Sequence, residues 1–168
     1  MVNILAIDDE KDHLAVIDDI LSELIPNCNV TTALSGPEGI KKAKAESPDM
    51  ILLDIKIPDM DGYEVCKLLK ADELTKDIPI IIETGVTDFE QLLKALCLGA
   101  DACLTKPLNA DELVAQVNVT LLIKQALDKL ESENKLKNEE IKSKIKKISE
   151  QDSRPVVSYL NQAMKMNK

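Results

Sequence analysis

Asp8 and Asp9 close the apolar run Val2-Asn3-Ile4-Leu5-Ala6-Ile7, and Asp54 closes Met50-Ile51-Leu52-Leu53. One lysine, Lys106, ends a shorter run far downstream, Ala102-Cys103-Leu104-Thr105. Carboxylates gathered at strand ends repel one another, and that repulsion becomes affinity once a divalent cation arrives. Mg²⁺ takes oxygen ligands in octahedral geometry and keeps several waters, so one or two carboxylates plus a phosphoryl oxygen suffice. On this reading Asp9 and Asp54 are direct ligands, the main-chain carbonyl of Lys56 adds a third, and Asp8 acts through water. Asp54 is then also the candidate nucleophile of a phosphoryl transfer, forming an acyl phosphate. Lys106 can reach a phosphoryl oxygen as a point charge, and the hydroxyl of Thr84, ending Ile80-Ile81-Ile82-Glu83-Thr84, can donate to another. A purely structural account makes Asp8-Asp9-Glu10 the acidic start of a helix, favoured by its dipole. It leaves Asp54 unexplained. His13, the single histidine, reads as a surface residue of that helix.

Such residues need elements that bring them together. Through about residue 123 the chain alternates short apolar runs with amphipathic stretches. Strands are expected at 2–7, 29–33, 50–53, 78–83 and 102–104, and the first, third and fourth are almost continuously apolar, as in a parallel sheet buried on both faces. Leu14, Ile17, Leu21 and Leu24 recur with helical spacing before Pro26. Ser35 is an expected N-cap, with Pro37 and Glu38 in the first turn. Further helices are expected at 63–69, at 89–98 ended by Gly99, and after either Asn109 or Asp111, with Leu113, Val117 and Leu121 as the last stripe. Gly62 is expected to give its loop backbone freedom.

Five such units predict an α/β fold, a doubly wound five-stranded parallel sheet in the flavodoxin-like order 2-1-3-4-5. Ligands bind such sheets at the carboxyl ends of the strands near the switch point between strands 1 and 3, where Asp8, Asp9 and Asp54 fall. Beyond 123 the composition changes. Residues 124–151 lack Gly and Pro, are rich in Lys and Glu, and continue the last helix outward. Leu127, Leu130, Ile141, Ile145 and Ile148 mark an apolar seam that Asn134 and Asn138 interrupt, which suits a dimeric coiled coil or a solvated single helix. Residues 152–168 form a short tail, with a short amphipathic helix expected at 156–166.

The bulk numbers set bounds. Only 2% of the chain is aromatic and the formal charge is −9, which argues against base stacking or direct nucleic-acid binding. Cys28, Cys66, Cys97 and Cys103 show no metal or redox spacing and read as small buried hydrophobes of a reducing cytoplasm. No apolar run approaches membrane-spanning length.

The motifs Ile7-Asp8-Asp9-Glu10, Leu53-Asp54-Ile55-Lys56-Ile57-Pro58-Asp59-Met60-Asp61-Gly62, Thr84-Gly85 and Thr105-Lys106-Pro107, in this order and spacing, resemble the receiver domain of two-component response regulators. The resemblance covers residues 1–123. It implies phosphorylation of Asp54 by a phosphohistidine on a sensor histidine kinase or histidine phosphotransfer protein, Mg²⁺ held by Asp8 and Asp9, and a cis Lys106–Pro107 bond. It implies a phosphorylation-controlled binding module rather than an enzyme. The cysteines and the lack of a spanning run read as cytoplasmic, and the 124–150 helix offers a homodimer as one output. The family usually carries an aromatic residue where this chain has Cys103. The alternatives are a pseudo-receiver scaffold, which is not phosphorylated and dimerises through its C-terminal helix, and a haloacid-dehalogenase-type phosphohydrolase. The latter needs an acid where Lys56 stands. The roughly 45 residues after 123 are too few and too poorly patterned for a helix-turn-helix domain.

Overall fold

The computed structural model describes residues 1–85 and 89–151. Five strands, β1 (Val2–Ile7), β2 (Cys28–Ala33), β3 (Met50–Asp54), β4 (Ile80–Thr84) and β5 (Ala102–Thr105), alternate with α1 (Lys11–Leu24), α2 (Gly36–Glu46), α3 (Gly62–Ala71), α4 (Phe89–Cys97) and α5 (Ala110–Gln151). All pairings are parallel and the order is β2-β1-β3-β4-β5. This is the doubly wound sheet that the alternation of the sequence predicts. Every residue of β3 and β4 is buried.

The pleat divides the core between the two faces. Leu5, Ile7, Ile51, Leu53, Ile80 and Ile82 pack with Val65, Cys66 and Leu69 of α3 on one face. Ile4, Ala6, Met50, Leu52, Ile81 and Leu104 pack with Leu14, Ile17 and Leu21 of α1 and with Leu113, Val117 and Leu121 of α5 on the other. Continuing the period of two, Asp8, Asp54, Glu83 and Lys106 fall on the α1 and α5 face. Strand alternation and parallel register therefore set these four side by side before any local detail matters.

Local signals in the sequence set the helix ends. The Ser35 hydroxyl accepts from the Glu38 amide at 3.3 Å, while the Glu38 carboxylate accepts from the Leu34 amide at 3.0 Å. This reciprocal cap satisfies two exposed donors. Asn109 rather than Asp111 opens α5, since its side-chain oxygen accepts from the Glu112 amide at 3.1 Å. Gly99, at φ +99°, ends α4 in the left-handed region. β4 starts at Ile80, not at 78, because Pro79 has no amide to donate and Ile78 closes a turn onto the Thr75 carbonyl.

Gly62 serves a different purpose from the one expected. A Cβ there would lie 2.3 Å from the Asp54 carbonyl oxygen and 2.7 Å from the Ile55 Cα. Its role is close approach of α3 to the end of β3, sealed by the Gly62 amide donating to the Ile55 carbonyl at 2.9 Å. Gly85, by contrast, has open space around it. The cysteine expectation also needs correcting. Cys66 is buried and its thiol pushed up to about 11 by desolvation, but Cys97 is exposed because it falls on the outer face of α4.

The chain divides into two units, residues 1–124 and 125–168. In the second, as far as it is described, α5 continues as one helix on which Leu127, Leu130, Leu136, Ile141, Ile145 and Ile148 are all exposed. The tail at 152–168 and the helix expected at 156–166 lie outside the described residues. Gly62→Ala should cost about 2 kcal/mol or more, because the added methyl meets rigid backbone rather than a side chain that can rotate away. Urea unfolding of the purified protein checks this.

Candidate functional site

β1 and β3 are neighbours with Ile7 opposite Leu53, so the residues that follow, Asp8 and Asp54, emerge next to each other. Asp54 in turn stands opposite Glu83, and Glu83 opposite Leu104 two residues before Lys106. Asp8, Asp54 and Glu83 are buried while Asp9 is exposed. Carboxylate oxygens of Asp8, Asp9 and Asp54 all lie within 4.8 Å of one another. The sequence predicted this gathering of three acids, and the fold delivers it.

Lys106 closes the cluster. Its ammonium donates to Asp8 Oδ2 at 2.9 Å and lies 3.2 Å from Asp54 Oδ2. Burial by itself would lower its pKa, yet the hydrogen bond to Asp8 and the charge of Asp54 outweigh that and hold it above the usual lysine value. Its amide donates to the Thr84 carbonyl at 2.8 Å, which locks the end of β5 to the end of β4, and the Lys106–Pro107 peptide is cis. Asp8 is anchored twice more. Its amide donates to the Ala33 carbonyl at 3.1 Å, and its Oδ1 accepts from the Glu10 amide at 2.7 Å.

The remaining expected residues take their places around these. Thr84 is buried at the end of β4, in register with Thr105. Lys56 is exposed in the loop after β3, two residues past Asp54. Asp61 caps α3 by accepting from the Glu64 amide at 2.8 Å, which pins the far side of that loop. Cys103 is half-buried and packs against the α3 side of the core.

His13 is not the surface residue that its helix suggested. Its Nε2 lies 2.7 Å from Glu83 Oε2 and 3.8 Å from Asp8 Oδ2, and its side chain is only 19% exposed. The Glu83 hydrogen bond raises its pKa above the ordinary histidine value, against a smaller lowering by burial. The reading of the sequence missed Glu83 altogether. A signal was there, since Glu83 interrupts an isoleucine run on a strand buried on both faces, and His13 precedes Ile17 and Leu21 at helical spacing on the buried stripe of α1. The second oxygen of Glu83, Oε1, is buried without a hydrogen-bond partner among the described residues.

Comparison with known proteins decides the family. Residues 4–118 match the family described as Response regulator receiver domain. This chain belongs to the response regulator receiver family. It is 38% identical over 121 residues to the transcriptional regulatory protein SpaR of Bacillus subtilis, covering 72% of this chain and 52% of that one. The probable transcriptional regulator ycf27 of Porphyridium aerugineum is 36% identical over 135 residues, covering 80% and 53%. The crystal structure of a two-component response regulator from Clostridium difficile superposes with a TM-score of 0.67 at 32% identity, covering 72% of this chain and 96% of that one. The chain spans about half the length of the curated relatives just named. Receivers are signalling domains of two-component systems rather than conventional enzymes. They generally bind Mg²⁺ at acidic residues and interact with histidine kinases or phosphotransfer proteins. Among the described residues no helix is long and apolar enough to cross a membrane.

The His13–Glu83 pair should behave asymmetrically in this receiver. His13→Met alone strands a buried carboxylate and should cost about 2 kcal/mol, whereas His13→Met with Glu83→Leu removes both partners and should recover most of it. Because the histidine's pKa is raised on folding, the stability it lends is complete below about 6.5, its unfolded value. That contribution is lost as pH rises through the higher folded value. Denaturant titrations of the wild type and both variants in metal-free buffer check both points.

Proposed function

We propose that Asp54 is the phosphoacceptor, and that the chain takes a phosphoryl group from a phosphohistidine on a sensor kinase or histidine phosphotransfer protein. The observation that carries this reading is the triangle of Asp8, Asp54 and Lys106 at 2.9 and 3.2 Å, at the carboxyl ends of neighbouring strands. Asp54 is buried yet ends its strand, so one carboxylate oxygen can attack phosphorus while the imidazole nitrogen of the donor leaves. A P–N bond breaks and a P–O bond forms, giving an acyl phosphate. Lys106, already charged and already bonded, shifts its donors to the phosphoryl oxygens without reorganising the backbone. Asp8 aims the lysine. Thr84 supplies a hydroxyl beside it.

The acid cluster fits Mg²⁺. Octahedral bonds of about 2.1 Å put neighbouring ligand oxygens about 3 Å apart and opposite ones about 4 Å apart, and one carboxylate oxygen from each of the three acids lies within 4.8 Å of the others. Asp9 and Asp54 would hold it directly with the main-chain carbonyl of Lys56, and Asp8 through water. When bound, the ion neutralises charge on the transferring group and relieves repulsion among the acids. The carboxyl end of the sheet, where Asp54 stands, is the side a kinase or phosphotransfer partner would approach, and cytoplasmic residence follows from such a partner.

For output we propose a homodimer through residues 124–150. Six large apolar side chains on that stretch stand exposed, more than a solvated helix needs, and Asn134 at a seam position suits a two-stranded register. Nucleic-acid binding is not proposed for the segment described.

Acetyl phosphate with Mg²⁺ should add one phosphoryl group to the wild type by intact mass and none to Asp54→Asn. Lys106→Ala should label about 100-fold more slowly. An adduct on both the wild type and Asp54→Asn, or on neither, would end this reading. For the dimer, sedimentation should show the wild type associating and Leu127→Glu with Leu130→Glu monomeric yet folded by circular dichroism, because those positions are exposed in the single chain. A monomeric wild type would remove the dimer.

A further inference from the structure

We propose that Asp8, His13 and Glu83 form a second cation site, suited to a borderline transition-metal ion such as Zn²⁺ and distinct from the Mg²⁺ cluster that shares Asp8. One ligand atom from each of the three lies within 4.8 Å of the others. His13 Nε2 lies 2.7 Å from Glu83 Oε2 and 3.8 Å from Asp8 Oδ2. Tetrahedral zinc with bonds near 2.1 Å wants ligand atoms about 3.4 Å apart, which opening one distance and closing the other would reach. Water takes the fourth position.

A second observation points the same way. Glu83 is 1% exposed, and while Oε2 meets the imidazole, Oε1 has no donor among the described residues. A buried ionised oxygen without a partner is costly, and a simple histidine–glutamate pair leaves it so. A doubly charged ion on Oε2 would offset that cost, and the water in its fourth position can donate to Oε1. The imidazole sets the metal class, since nitrogen donors favour zinc and its neighbours over Mg²⁺ or Ca²⁺. Among the described residues, no group of three potential ligands includes a cysteine, so thiols offer no competing cluster there.

The two sites share Asp8, whose Oδ2 also accepts from Lys106. An ion on His13 and Glu83 draws that carboxylate away from Lys106 and sets a second charge beside the Mg²⁺ cluster. Occupancy should therefore oppose Mg²⁺-dependent phosphoryl uptake, making this chain sensitive to transition-metal ions. That consequence rests on Asp54 being the phosphoacceptor, whereas binding does not.

Because His13 is the sole histidine, protein carrying a histidine-free tag gives one set of imidazole resonances. Zn²⁺ titrated in excess Mg²⁺ should bind saturably to wild type and to Asp54→Asn with similar affinity, moving the His13 Nε2 signal in both. His13→Gln and Glu83→Gln, confirmed folded by circular dichroism, should each lose at least about tenfold in affinity. The site is overturned if the wild type shows no saturable binding, if His13→Gln keeps it, if Asp54→Asn alone loses it, or if the imidazole signals stay put. Labelling by acetyl phosphate should then fall with Zn²⁺ in the wild type and persist in His13→Gln. If nothing is labelled even without zinc, the phosphoacceptor reading fails while the zinc titration still judges the site.

Discussion

Three carboxylates held within a few ångströms at one edge of a sheet, two of them buried, cannot coexist without positive charge. Most of what distinguishes this receiver from an inert α/β domain follows from how that charge is supplied. One ammonium, delivered by the chain almost a hundred residues after Asp8, bridges two of the acids and is held charged by them. The bridge also fixes the end of β5, since Lys106 is tied to β4 through its own amide. Site electrostatics and the closure of the sheet are thus one construction, and neither could be loosened without the other.

The sheet makes that construction possible through a period of two. Side chains at 4, 6 and 8, at 50, 52 and 54, at 81 and 83, and at 104 and 106 share a face, so the apolar members bury against α1 and α5 and the final polar member of each series surfaces at the same rim. A one-residue slip would turn every acid to the opposite face. The hydrophobic core therefore enforces the register of the site. Gly62 contributes by space alone, letting the start of α3 lie against the Asp54 carbonyl where any side chain would collide.

Glu83 shows the same logic extended by one residue. It lies beside Asp54 in the ladder and adds a fourth acid to the neighbourhood, and the helix that packs over that face brings the single histidine down onto it. The cationic complement of the rim is then Lys106 on one side and His13 on the other. One oxygen of Glu83 remains unanswered among the described residues, the sort of local frustration that ordinary cores avoid and that binding sites retain.

How much of this could be read from residues in order depends on whether the controlling physics is local. Strand ends, helical stripes and the Ser35 cap are short-range, and the alternation of elements leaves few topologies once crossovers are right-handed. The order of the sheet and the convergence of Asp8, Asp9, Asp54 and Lys106 were therefore legible before any coordinates. What composition could not settle was anything decided by packing across elements. The orientation of His13 depends on how α1 seats over β4, the need for Gly62 on how near α3 comes to β3, and the exposure of Cys97 on which way α4 rolls. Sequence alone determined which chemical groups would meet, because periodicity and parallel register are intrinsic to the chain. Only the tertiary structure decided their distances and partners, because those are set by contacts between segments far apart in sequence, which no local pattern encodes.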